Sequence, residues 1–190
     1  MDSLAHPITT IINLALAEGS FPSAFKSAIL HPLLKKSTLP KDDFSSYRPV
    51  SNLSFFSKLL ERIILSRLLA HLDSFPSISP YQSAFRKLHS TETALLRVQN
   101  DLLLSCNNQK VSALVLLDLS AAFDTIDHSI LLERLSSTFG ISGTALSLLS
   151  SYLSNRTQCV TIGNESSTHS PLLTGVPQGS VLGPLLFCLY

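Results

Sequence analysis

The sequence predicts a mixed fold of the α+β class with one sizeable core. Its 190 residues are 45% hydrophobic and have a mean hydropathy of +0.29, which is enough apolar surface to bury a core of domain size. Stretches in which apolar residues recur every three to four positions are interspersed with short strand-like runs and with Gly/Pro turns. We therefore expect helices and strands to share one core.

The first fifty residues predict a helix followed by a hairpin. Apolar residues at helical spacing indicate a helix over residues 8–17, which a glycine and a proline end. Residues 28–34 are predicted to form a strand. Residues 47–50 are predicted to be extended, because the residue before a proline is pushed out of the helical region. The two segments predict a hairpin whose tip carries Lys35 and Lys36.

Two further helices are predicted in the middle of the chain. Over residues 54–72 the apolar side chains recur at three to four residues, with charged residues such as Glu61 between them. Two prolines interrupt the chain at 75–80. Ser90 or Thr91 is then expected to cap a helix that runs to about residue 105.

The second half begins with a predicted buried strand over residues 111–119. Asp127 is expected to cap a helix over 128–137, and a glycine closes that helix. The remaining pattern predicts a helix at 144–153, a hairpin formed by 157–163 and 170–174, and a helix at 180–190.

The charge distribution is more informative than its total. The formal net charge is +1, so bulk charge does not indicate nucleic-acid binding. Residues 1–100 hold eleven Lys or Arg against seven Asp or Glu, whereas residues 101–190 hold three against six. This split suits a protein whose first half contacts phosphates and whose second half holds metal ions.

Several classes of protein are disfavoured by missing patterns. The three cysteines lack the spacing of a zinc site, so we expect reduced, packed thiols. The N-terminus lacks a signal-peptide pattern and no apolar run reaches eighteen residues, which predicts an intracellular protein, nuclear or cytoplasmic, that is neither secreted nor membrane-spanning. The absence of Gly-x-Ser-x-Gly disfavours a serine hydrolase, and no phosphate loop of the Gly-x-x-x-x-Gly-Lys type is present.

Two segments about fifty residues apart stand out: ALVLLDLSAAFDT at 113–125 and GVPQGSVLGPLLF at 175–187. The first places one carboxylate, Asp118, at the end of a predicted buried strand. Burying an unpaired carboxylate is costly unless a cation or hydrogen-bond donors compensate. A divalent metal is one such partner, and capping of the next turn is the alternative for Asp118.

These segments resemble the reverse transcriptases of non-LTR (LINE-type) retrotransposons. The stretch 118–124 matches their Asp-x-x-x-Ala-Phe-Asp pattern, and 175–187 is similar to their nucleotide-pocket segment. Residues 47–62 and 82–91 resemble two fingers segments, although the family usually has Gly where Ser83 or Ala84 and Leu88 stand. The resemblance implies a right-hand polymerase fold with fingers over 1–110 and a partial palm over 111–190, truncated before the second catalytic carboxylate segment and the thumb.

The resemblance also implies roles for particular residues. Asp118 would be the catalytic carboxylate and a Mg²⁺ ligand, with the backbone carbonyl of Leu119 as a second ligand. Phe123 would lie beneath the incoming sugar, with a core aromatic as the alternative, and Asp124 would brace the turn. The implied nucleotide contacts are Gln178, Gly179 and Arg48, with Lys35 or Lys36 as a second cation, for which a solvated surface charge is the alternative. The implied template contacts are Arg86 and Lys87.

The function implied by the resemblance is RNA-directed DNA synthesis. The complete enzyme would extend a DNA primer along an RNA template with dNTPs and two Mg²⁺ ions. The sequence lacks the aromatic-Ala-Asp-Asp turn that the family places downstream, so we expect the chain alone to be inactive. A non-catalytic nucleic-acid-binding remnant and a decayed reading frame remain the alternatives.

Overall fold

A computed structural model describes residues 4–74, 78–119 and 121–190. The predicted break at 75–80 falls partly outside them, since 75–77 are not described. The described residues form helices and strands in one chain, as predicted. The helices are α1 (Ala5–Glu18), α2 (Phe55–Asp73), α3 (Thr91–Asn107), α4 (His128–Ser137), α5 (Gly143–Leu153) and α6 (Gly183–Leu189), and the strands are β1 (Ser27–Leu34), β2 (Tyr47–Asn52), β3 (Arg156–Ile162), β4 (Glu165–Ser166) and β5 (Ser170–Leu172).

Local capping signals place the helix ends close to their predicted positions. Gly19 ends α1 in the left-handed conformation, with φ +64°. The Ser54 hydroxyl accepts from the Ser57 backbone N–H at the start of α2, and Ser90 forms a reciprocal capping box with Thr93 at the start of α3. These contacts confirm the predicted helices.

One mixed sheet joins the two halves of the chain. Strands β1 and β2 pair antiparallel as the predicted hairpin, with Leu34 opposite Tyr47. Strand β3 then lies parallel to β1, with Cys159 opposite Ile29, and its other neighbours, β4 and β5, run antiparallel to it. The strand order is β2-β1-β3-β4, with β5 also paired to β3.

The predicted strand over residues 111–119 is wrong. These residues have no regular structure, and their apolar side chains face solvent, with Val115 76% and Leu117 91% exposed. A strand is stabilised by pairing and by packing against neighbours more than by its own propensity. No described strand pairs with this segment, so the apolar run that suggested burial is left uncovered.

The core lies between α1, α2, α4, α5 and α6, on residues such as Leu60, Ile64, Leu135, Leu149 and Leu186. Helix α3 contributes no buried residue. It is held to the preceding segment by Arg97, whose guanidinium lies 4.4 Å from the centroid of the Tyr81 ring. Among the described helices, α3 therefore lies at the margin of the core.

Two other sequence predictions concern the cysteines and membranes. All three thiols are free, as predicted, but Cys106 is exposed and not packed. Within the ranges described above, no helix has both the length and the apolar character that crossing a bilayer requires.

Candidate functional site

The two segments singled out in the sequence are in direct contact. We call residues 174–180 the pocket loop. The Val176 backbone N–H donates to the Phe123 carbonyl at 2.9 Å, and the Gly175 N–H donates to the Ile126 carbonyl at 2.8 Å. In return, Nε2 of His128 donates to the Gly175 carbonyl at 2.7 Å. The loop is thereby tied to the Ala-Phe-Asp turn, and His128 has a structural role there that the sequence pattern did not indicate.

Gly175 makes this close approach possible. Its φ is +79°, and a Cβ at this position would lie 2.6 Å from the Phe123 carbonyl oxygen and 2.7 Å from the Asp124 Cα. Only a glycine fits both the left-handed backbone and the space.

The other end of the pocket loop docks on the hairpin. The Ser51 N–H of β2 donates to the Gln178 carbonyl at 2.6 Å. Gly179 has φ +115°, and a Cβ there would lie 2.7 Å from the Ser51 carbonyl oxygen. The loop therefore bridges the hairpin of the first half and the Asp118 segment of the second half.

A cavity of about 400 Å³ lies where these three segments meet. Its lining includes Pro49 and Ser51 from the hairpin, Asp124, and Gln178 from the pocket loop. Desolvation raises the pKa of the Asp124 carboxyl above its ordinary value. The structure thus brings Gln178 and Asp124 to one concave surface.

Phe123 is not among the residues that line this cavity. It is half-buried against the core, and its ring centroid lies 5.3 Å from that of Phe187 in α6. The ring supports the turn on which Asp124 and the pocket loop meet.

Asp118 is exposed, and so is Leu119. Across the described ranges, no group of three or more His, Cys, Asp or Glu side chains could hold a metal ion. The residues present therefore do not fit a complete metal site, since a two-metal centre needs carboxylates that converge from several elements.

The cations of the hairpin lie near its tip. Lys35 Nζ donates to the Ser45 carbonyl at 2.8 Å, while Lys36 and Arg48 are exposed. Arg48 stands opposite Leu33 in the β1–β2 register, directly beside the pair that ends the ladder at the tip. Lys36 and Arg48 therefore offer positive charge to solvent, whereas Lys35 also interacts with the Asp43 carboxylate.

The second basic segment forms a tight turn without glycine. Phe85 and Leu88 adopt φ values of +54° and +63°, a region that costs a non-glycine residue about 1–2 kcal/mol. Arg86 Nη1 donates to the Ser79 and Gln82 carbonyls at 3.3 and 3.4 Å, and Lys87 is exposed. The segment therefore turns at positive φ with phenylalanine and leucine at the two positions.

Glu61 and Arg156 are almost completely buried, which the sequence analysis did not indicate. Glu61 lies 0% exposed on the core side of α2, although its place among charged residues had suggested the polar face. Arg156 is 1% exposed; it donates to the Tyr152 carbonyl at 2.9 Å, and its guanidinium lies 4.6 Å from the Tyr152 ring centroid. The available signal for Glu61 was its position directly after Leu60 and three residues before Ile64, both on the apolar stripe.

The chain is similar to known polymerases over almost all of its length. The family profile described as "Reverse transcriptase (RNA-dependent DNA polymerase)" matches residues 35–190. "RNA-directed DNA polymerase from mobile element jockey" of Drosophila melanogaster is 37% identical over 189 residues, which are 100% of this chain and 20% of that protein. "Probable RNA-directed DNA polymerase from transposon X-element" of the same species is 34% identical over 96% of this chain and 20% of its own length. The polyprotein of the type-1 retrotransposable element R2 of Popillia japonica is 27% identical over 93% of this chain and 24% of its own length. The chain therefore spans about a fifth to a quarter of these relatives.

Proposed function

Because the chain belongs to the reverse transcriptase family of non-LTR retrotransposons, we propose that it forms the nucleotide-pocket part of an RNA-directed DNA polymerase. In this proposal residues 1–110 are the fingers and residues 111–190 are part of the palm. The polymerase would add dNTPs to a primer 3′-hydroxyl on an RNA template.

The observation that supports this proposal most strongly is the double docking of the pocket loop. Its backbone is bonded to Phe123 on one side and to Ser51 on the other, so three segments distant in sequence meet at one cavity. Preorganised backbone and side-chain groups of this kind position a substrate without further rearrangement. We place the incoming nucleotide against Gln178 and Gly179, with Phe123 beneath its sugar.

The proposed phosphate contacts are the cations that the structure leaves at the surface. Arg48, Lys35 and Lys36 at the hairpin end would meet the triphosphate, because a guanidinium fork and flexible ammonium groups both suit phosphate oxygens. Arg86 and Lys87, on the strained turn, would meet the template backbone.

Asp118 would supply one ligand of the Mg²⁺ ions that the reaction uses, with the Leu119 carbonyl as a second. Since one carboxylate does not make a two-metal site, we propose that this chain alone is catalytically inactive. Binding of template-primer without catalysis is the activity expected of the chain itself.

The two groups of cations can be tested against each other. One variant carries Lys35→Gln, Lys36→Gln and Arg48→Gln, and a second carries Arg86→Gln and Lys87→Gln. For both variants, NMR titration measures the binding of a dNTP. Fluorescence anisotropy at several salt concentrations measures the binding of an RNA template annealed to a DNA primer. A control variant removes three cations elsewhere on the surface: Arg62, Arg67 and Lys110.

We expect the hairpin variant to weaken dNTP binding at least about tenfold. In the second variant, the plot of the logarithm of the template-binding constant against the logarithm of salt concentration should become less steep. The slope should fall in magnitude by roughly 0.7–0.9 for each phosphate group that is no longer neutralised. The control variant should do neither. Equal effects in all three variants would mean that only net charge matters, and metal-dependent primer extension by the unmodified chain would overturn the proposed inactivity.

A further inference from the structure

The buried carboxylate of Glu61 lies at the junction between the pocket loop and α6. We propose that Glu61 is a positioning residue: it holds the end of the pocket loop where Gln178 and Gly179 can meet a nucleotide. The nucleotide part of this inference rests on the proposed function, whereas the anchoring part does not.

The contacts of Glu61 converge from three elements. Its Oε2 accepts from the backbone N–H groups of Val181 at 2.7 Å and Leu182 at 3.1 Å. Its Oε1 accepts from the Ser57 hydroxyl, one turn earlier in α2, at 3.0 Å. The Tyr152 hydroxyl of α5 donates to Oε2 at a longer 3.5 Å.

These partners explain how a carboxylate is tolerated in the core. Glu61 is 0% exposed, and a charged group so placed must be satisfied by donors. The partners that the structure gives it are two hydroxyls and two backbone amides. Burial and the nearby Glu61 charge both raise the pKa of Tyr152 above its ordinary value, so its hydroxyl remains a donor.

Glu61 completes a series of three anchors along this stretch of chain. The carbonyls of Ile126 and Phe123 accept from Gly175 and Val176, Ser51 donates to the Gln178 carbonyl, and Glu61 accepts from Val181 and Leu182. Between the second and third anchors the chain turns at Gly179, which has φ +115°, and the Ser180 N–H donates to the Pro177 carbonyl at 3.0 Å. The Glu61 contacts fix the two residues that follow Ser180.

The test compares two substitutions of nearly equal volume in the 190-residue chain. Glu61→Gln keeps a carbonyl oxygen that accepts from both amides, and the Ser57 hydroxyl can reverse its role and accept from the new NH₂ group. Glu61→Met keeps the volume but leaves both amides without an acceptor. Amide hydrogen exchange at residues 178–183 is measured by NMR, with exchange in α4 as an internal reference for overall stability.

We expect Glu61→Met to speed exchange of the Val181 and Leu182 amides at least about tenfold relative to the α4 reference, which corresponds to losing one hydrogen bond to a charged group. Glu61→Gln should restore most of the protection. Uniform acceleration in the loop and in α4, or no rescue by Gln, would overturn the anchoring role.

A dNTP titration of the same variants separates this inference from the proposed function. If the unmodified chain binds dNTP, Glu61→Met should raise its dissociation constant at least about tenfold and Glu61→Gln less than about threefold. Unchanged binding in Glu61→Met would overturn the positioning role. A wild-type chain that binds no dNTP, but shows the expected exchange pattern, would refute the proposed nucleotide site while supporting Glu61 as the anchor.

Discussion

Replacing Gly175 with alanine should strongly destabilise the protein, because two independent costs add at this position. A left-handed backbone, here φ +79°, costs an alanine about 1–2 kcal/mol. The new Cβ would also lie 2.6–2.9 Å from the Phe123 carbonyl oxygen and from the Cα and carbonyl oxygen of Asp124. All three atoms are backbone, so no side-chain rotation relieves the overlap, and overpacking of this kind adds about 1–3 kcal/mol.

Gly163 is the matched control. It has φ +61°, and a Cβ there meets nothing within 4 Å, so Gly163→Ala carries only the backbone cost. Alanine also restricts the unfolded chain, which offsets that cost by about 0.4–1 kcal/mol in both variants. We therefore expect the free energy of unfolding to fall by about 1 kcal/mol for Gly163→Ala and by about 3 kcal/mol for Gly175→Ala.

Urea unfolding followed by circular dichroism measures both free energies of unfolding on the same chain. At about 2–4 °C per kcal/mol for a protein of this size, the two melting temperatures should also differ by roughly 4–8 °C. Equal destabilisation of the two variants would refute the reasoning, because it would show that Gly175 is not in close contact with the backbone of Phe123 and Asp124.

Leu88 and Asp127 provide two further predictions. Leu88 is 90% exposed and has φ +63°, so Leu88→Gly removes a backbone cost of about 1–2 kcal/mol but adds about 0.5–1 kcal/mol of unfolded-state entropy. Urea unfolding should show a free energy of unfolding that is higher by roughly 0.5–1 kcal/mol. A net decrease in the free energy of unfolding would contradict this prediction. Asp127 caps α4, and its hydrogen bonds with the hydroxyl of Ser129 and the backbone of Ile130 lower the pKa of its carboxyl below its ordinary value. A lowered folded-state pKa means that this stabilisation is complete above the ordinary value and is lost as pH falls through the folded value. Asp127→Ala should therefore lower the melting temperature at neutral pH, and the gap to the unmodified chain should close in acid; a gap that is constant with pH would show that the charge is not involved.

The helix predictions succeeded where their signals were local. Ser54, Ser90 and Asp127 each satisfy a backbone N–H two or three residues ahead, and Gly19 ends α1 through its own φ. Such contacts form between neighbours in the chain, so the residues that make them can be identified from their order in the sequence.

The family and the pair of motifs were also evident from the sequence, because each motif is a short contiguous string. Their roles as metal, nucleotide and template contacts stay predictions. The tight turn at Leu88 could not be predicted from propensity, because leucine disfavours the positive φ that it adopts there.

The sequence by itself determined the helices, the hairpin, the family and the candidate residues, because helix caps and motifs are short contiguous strings and the hairpin joins two strands that follow each other in the chain. Tertiary structure alone decided three things: that residues 111–119 pair with no described strand, that the pocket loop docks on both Phe123 and Ser51, and that Glu61 faces the core. Each depends on a partner from a distant segment. Glu61 illustrates the reason, because its periodic position permits burial, whereas the donors that stabilise its buried carboxylate include the amides of Val181 and Leu182, 120 and 121 residues away.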